Sequence, residues 1–108
     1  MNAEVPQRYH VGSVYEAQGI GRNYCTPAAS YQEINTTLQY YGTNSAWDFA
    51  AYAFNKGVGG ETITAKATFT CVEGILRAWR TQALGYSVVG GVGYTATQYK
   101  YNNLYCYP

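Results

Sequence analysis

Thr70-Cys71-Val72-Glu73-Gly74-Ile75-Leu76-Arg77-Ala78-Trp79-Arg80-Thr81-Gln82-Ala83-Leu84-Gly85 is the stretch on which the fold class turns. Thr70 and Glu73 stand three apart, the register of a capping box, in which each side chain bonds the other's orphan backbone N–H. Val72, Ile75, Leu76, Trp79 and Ala83 recur at steps of three and four, which puts them on one helical face. Glu73 and Arg77 sit four apart for an ion pair, and Gly85 is placed to stop a helix. Gly74 weakens the first turn, but the pattern predicts a helix over 70–85.

Working outward, the residues just upstream alternate with period two. Ile63, Ala65, Ala67 and Phe69 point one way and Thr62, Thr64, Lys66, Thr68 and Thr70 the other, which predicts a half-buried strand over 61–69. Further upstream, Asn44 can cap a helix whose face is Trp47, Ala50, Ala51 and Phe54, with Lys56-Gly57 supplying a cation and a stop. Thr26-Pro27 marks another start, and Tyr31, Ile34, Leu38 and Tyr41 line its face until Gly42, although the β-branched pair Thr36-Thr37 favours strand. The segment 8–17 alternates as a strand, broken after it by Gly19-Ile20-Gly21. Downstream, 86–89 and 92–101 flank Gly90-Gly91, which suits a tight hairpin because both residues can take positive φ. Asn102-Asn103 predicts a further turn or bulge before 104–107.

The sum is a single α+β domain over 1–108, an antiparallel sheet with two or three helices packed on one face. Its length fits one core and no second domain.

Composition narrows the function. Thirteen tyrosines accompany seven Lys and Arg and six Asp and Glu, for a net charge of +1. The basic residues are scattered, so the phosphate neutralisation that drives nucleic-acid binding is not expected. No apolar run is long enough for a membrane span. Residues 1–6 lack the basic and apolar regions of an export signal. Together with a composition rich in Tyr, Thr, Asn and Gly, this fits a secreted or periplasmic protein supplied in mature form.

The motifs point away from familiar chemistry. The glycines around Gly19 and Gly21 match neither a dinucleotide fingerprint nor a P-loop. Three separated cysteines, Cys25, Cys71 and Cys106, with one histidine match no zinc spacing, and no cofactor is implied. They allow one disulfide with a thiol left over. The carboxylates form no catalytic pair. Cys71 at a helix start, or Cys25 ahead of one, would gain thiolate character from the helix dipole, and His10 could serve as its base; a cysteine-dependent hydrolase or transferase is therefore the alternative function.

The leading expectation rests on the tyrosines near the carboxyl end. If the chain runs there as a strand, Thr95, Thr97, Tyr99, Tyr101, Tyr105 and Tyr107 share one face with Asn103, and Tyr94 lies beside them. Large rigid rings interleaved with small hydroxyl and amide groups are what recognition surfaces use. These residues predict a small exported binding protein that takes a protein partner or a glycan. The same uncharged strand, guarded by Lys100 alone, also admits self-association as an extracellular structural protein.

Overall fold

A computed structural model of the chain describes residues 2–11, 14–24, 29–42, 45–59, 62–71 and 76–105. Eight strands carry them: β1 (Asn2–Ala3), β2 (Gln7–Val11), β3 (Val14–Asn23), β4 (Ala29–Tyr41), β5 (Trp47–Gly59), β6 (Ile63–Thr70), β7 (Leu76–Val89) and β8 (Val92–Tyr105). All pairing is antiparallel. In the first sheet, β3 lies between β6 on one side and β1 and β2, end to end, on the other. The second sheet runs β5-β4-β7-β8. The two stack into a slab only 15 Å thick between extreme Cα positions, against 48 and 32 Å along its other axes.

The α+β expectation is overturned, because no helix occurs among the described residues. Each expected helix that falls on them is a strand of the second sheet: the face starting at Tyr31 is β4, the face starting at Trp47 is β5, and Leu76 to Gly85 belong to β7. The capping residues Thr26, Asn44 and Glu73 lie outside the described residues. The reason is visible in β7. Trp79, Thr81, Ala83, Gly85 and Ser87 are buried, while Arg80, Gln82, Leu84 and Tyr86 alternate with them toward water. Small inward residues and a large outward Leu84 hide the period of two, so Leu76, Trp79 and Ala83 mimic a helical stripe.

Two further corrections follow. Asn102 and Asn103 are interior to β8, paired with Trp79 and Ala78 in unbroken register, and make neither a turn nor a bulge. The segment 8–17 is two strands, since Val11 pairs with Val14, and Gly19 and Gly21 lie within β3 instead of ending it. The other readings match: β6 alternates buried and exposed as expected, and Gly90 and Gly91 turn the β7–β8 hairpin at φ of 58° and 79°.

Both inner faces are built from small residues. Ala17, Gly19 and Gly21 of β3 with Ala65 and Ala67 of β6 face Ile34, Thr36 and Leu38 of β4 and Thr81 and Ala83 of β7. With so little side chain between them the sheets come close, which is why the slab is thin. At the wider end Trp79 closes the interior against Tyr40 and Phe69 at ring separations of 5.5 and 5.8 Å.

The cost of this closeness falls on polar groups. The Oγ1 atoms of Thr36 and Thr81 are buried with no hydrogen-bond partner among the described residues. A buried hydroxyl without a partner loses its water for nothing in return. Thr81→Val is therefore expected to raise unfolding stability by about 1 kcal/mol. The urea midpoint should rise at unchanged slope; a fall would show that the hydroxyl is bonded after all.

No helix among the described residues is long and apolar enough to cross a membrane.

Candidate functional site: the outer face of the second sheet

Strand parity sorts the two solvent faces of the sandwich, and they are built differently. The outer face of the first sheet carries Thr64, Lys66, Thr68 and Thr70 from β6, Glu16, Gln18, Ile20 and Arg22 from β3, and Gln7 and Tyr9 from β2. That is an ordinary wet surface. The outer face of the second sheet carries rings. Trp47, Phe49, Tyr52 and Phe54 come from β5, Tyr31 and Tyr41 from β4, Leu84 and Tyr86 from β7, and Tyr99 and Tyr101 from β8. Seven of these are exposed, from 39% at Leu84 to 64% at Phe49, while Trp47, Tyr31 and Tyr86 are half-buried. Its charged groups are Glu33 and Lys56, which are opposite one another, and Arg80.

A bulge sets the geometry of β5. Leu38 pairs with Ala51 but Gln39 pairs with Phe49, leaving Ala50 unpaired. One extra residue shifts the parity of everything beyond it. Trp47 and Phe49 before the bulge therefore share a face with Tyr52 and Phe54 after it.

Arg80 organises the centre. Its guanidinium lies 4.4 Å from the Trp47 ring centroid and 4.9 Å from that of Tyr99, and its Nε donates to Gln39 Oε1 at 2.5 Å. A cation held against two ring faces is stiffened and partly screened. The rings continue outward from it. Trp47 meets Tyr101 at 5.9 Å and Tyr41 at 5.3 Å, and Tyr99 stacks on Tyr101 at 6.4 Å with planes 22° apart. Amides tie the phenols down: Gln82 Nε2 donates to Tyr99 Oη at 3.3 Å, and the Tyr52 hydroxyl donates to Asn35 Oδ1. At one corner Tyr31 Oη donates to Glu33 Oε2 at 2.5 Å and its ring meets Tyr86 edge-on. That hydrogen bond to the carboxylate is the main reason the Tyr31 phenol is raised above the usual tyrosine range.

The structure places Thr95, Thr97, Tyr99 and Tyr101 on this outer face and exposes all four. Tyr94 is also exposed but has the opposite parity, across from buried Ser87. Tyr105 pairs with Leu76 at the end of β8, and Tyr107 lies outside the described residues. Trp47 and Phe54 were missed as surface groups because the helical reading put them on an apolar helix face, and Phe49, Tyr52, Arg80 and Leu84 were given no face at all. Their signal was the pair of aromatic doublets in β5, each with a spacing of two.

The Cys71 arm of the cysteine alternative loses its expected helix, while the Cys25 arm lies outside the described residues. Cys71 follows a strand, its N–H donates to Tyr15 O at 2.8 Å within the first sheet, and the helix whose dipole was to activate it is β7. It is buried and is not a free titrating thiol. No disulfide joins two described residues, since Cys25 and Cys106 lie outside them. His10 is paired with Tyr15 in β2, so β3 separates it from the end of β6. Among the described residues no cluster of three or more His, Cys, Asp or Glu could hold a metal ion.

No protein-family model matches the chain, and neither a curated protein nor a solved structure is significantly similar to it.

Proposed function

We propose that the chain is a small exported binding protein that grips a partner protein with the outer face of its second sheet. The observation that carries this reading is the contrast between the two solvent faces. The first sheet's outer face is mostly polar, with Tyr9 and Ile20 as its large apolar side chains among the described residues, whereas rings dominate that of the second. Rings such as Phe49 and Phe54 contribute little to folding at 64% and 46% exposure, yet they share one face with Trp47, Tyr99 and Tyr101, with Asn35, Thr37, Gln39 and Gln82 set among them. Contiguous apolar area rimmed by polar groups marks an interaction site, and Trp, Tyr and Arg are the residues that anchor such sites. Phe49, Phe54 and Leu84 offer no hydroxyl, which favours a protein over a sugar polymer as the occupant. A glycan remains the second reading, supported by the nearly parallel Tyr99 and Tyr101 rings, on which sugar faces could stack.

The test uses immobilised wild-type chain as bait for the secreted proteins of its source, beside a glycan array. Trp47→Ala and Tyr101→Ala serve as matched baits. The wild type is expected to retain a protein that both variants bind about 30-fold more weakly, a hot-spot loss of about 2 kcal/mol. Melting temperatures should fall by only a few degrees. Equal retention by the variants would end the proposal, as would unfolding of both. Capture on the glycan array alone would replace the protein by a sugar. Light scattering against concentration separates a competing case, in which the edge strand β8 pairs with a second copy.

A further inference from the structure

The inner side of β8 holds a second site that the outer face does not explain. The first sheet is narrower than the second and covers β8 only in part. Ala3 N donates to Gln98 Oε1 at 2.5 Å and Asn102 Nδ2 donates to Pro6 O at 3.0 Å, so the amino-terminal strands reach β8 between these two positions. Ala96 and Tyr94 lie beyond that cover. Their cross-strand neighbours are Gly85 and Ser87, and β3 ends nearby at Asn23, followed by Tyr24. The result is a pocket of about 190 Å³ between two exposed phenols, Tyr24 and Tyr94.

We propose that this pocket binds a single neutral sugar ring. The claim does not rest on the outer-face reading. The floor, Gly85 and Ala96, is apolar and flat because neither residue has a side chain beyond Cβ. One end is polar and buried: Asn23 and Ser87 are 4% and 6% exposed. Asn23 Nδ2 is shared among Glu33 O at 3.0 Å, Tyr86 O at 3.2 Å and Ser87 Oγ at 3.2 Å. Asn23 Oδ1 is left to accept, and Ser87, which accepts from Asn23, keeps its own hydrogen to donate. An acceptor and a donor side by side suit vicinal hydroxyls, each of which both gives and takes a hydrogen bond. Among the described residues no charged side chain lines the pocket, which suits a neutral ligand. A volume of about 190 Å³ is on the scale of a single ring. An apolar peptide side chain would fit the walls but would strip water from Ser87 and Asn23 without replacing it.

The test is a titration of ¹⁵N-labelled full-length chain with glucose, galactose, mannose and N-acetylglucosamine, and separately with a blocked proline amide. At least one sugar is expected to shift the Asn23 side-chain amide and the Ser87 and Ala96 backbone amides saturably, with a dissociation constant on the order of 1 mM. Tyr94→Ala and Tyr24→Ala should weaken that binding about tenfold while keeping a dispersed spectrum, because both rings are largely exposed. Tyr94→Phe should keep most of it, and Tyr101→Ala on the outer face all of it. The proposal is overturned if no sugar gives saturable shifts, if the shifts survive Tyr94→Ala, or if they map to the outer face. Saturable binding of the proline amide in place of the sugars overturns it too. The outer-face variants are scored on a different ligand, so either reading can fail alone.

Discussion

Trp79→Ala is expected to cost about 3–5 kcal/mol of unfolding free energy. For a domain of this size that is a large part of the total, since whole domains are held by roughly 5–15 kcal/mol. Trp79 is 2% exposed and touches rings from both sheets, Tyr40 of β4 and Phe69 of β6, with Ala17, Leu38, Ala67, Cys71 and Leu104 in the same buried cluster. Among the described residues the other buried members of that cluster are smaller, two alanines, two leucines and a cysteine. Removing the ring leaves a hole that two sheets joined by paired backbones cannot collapse into. Trp79→Phe should be far milder, because it keeps the ring contacts and deletes an indole N–H that has no partner among the described residues. Urea unfolding of the three proteins checks the order. A loss below about 1 kcal/mol for Trp79→Ala would mean that the indole is not a core group.

Gly21→Val is expected to cost about 3 kcal/mol or to prevent folding, for the opposite reason. Gly21 has no unusual backbone angle to protect; what matters is the surface facing it. A Cβ placed there would collide with Thr36 Oγ1 and stand 3.1 Å from Ala83 Cβ and 3.3 Å from Ile34 Cγ1. All three belong to the other sheet, and none is the free end of a long side chain that could swing aside. The sheets would have to part locally, and the neighbouring pairs in the thin interior would lose contact with them. Thr36→Ala removes the closest atom, so Gly21→Ala combined with Thr36→Ala should be less destabilised than the sum of the two single changes. Strict additivity in that cycle would show that the two residues do not meet.

How much of this could be read from the sequence depends on what each face of a strand must satisfy. In β6 one face meets Ala and Gly across the interior and the other meets water, so Ile63, Ala65 and Ala67 alternate cleanly with Thr64, Lys66 and Thr68. That strand was legible. In β5 and β7 neither face is simply polar. Thr81, Ala83 and Gly85 are small because a second sheet lies against them, and Trp47, Phe54 and Leu84 are large although they face outward. A rule that equates apolar with buried fails on such strands in both directions. The bulge at Ala50 then shifts parity by one, and Trp47, Ala50, Ala51 and Phe54 fall into helical steps by coincidence. The β8 face was legible as an ordered set, because Thr95, Thr97, Tyr99 and Tyr101 need only a strand to align them. Their connection to Trp47 and Arg80 was not, because strands β4 and β7 come between β8 and β5 in space.

By itself the sequence determined the local features that depend on neighbours in the chain: the β7–β8 hairpin, where two glycines take successive positive φ angles without steric cost, the half-buried β6, and the row of rings and hydroxyls along β8. Tertiary structure alone decided that the three helical patterns become strands, that β5 and β8 place their rings on one face, and that β3 must carry glycine where Thr36 and Thr81 approach. The physical reason is range. A turn is set by angles within a few residues, whereas the identity of a face is set by what stands opposite it, and in a two-sheet sandwich the opposing residues come from distant parts of the chain.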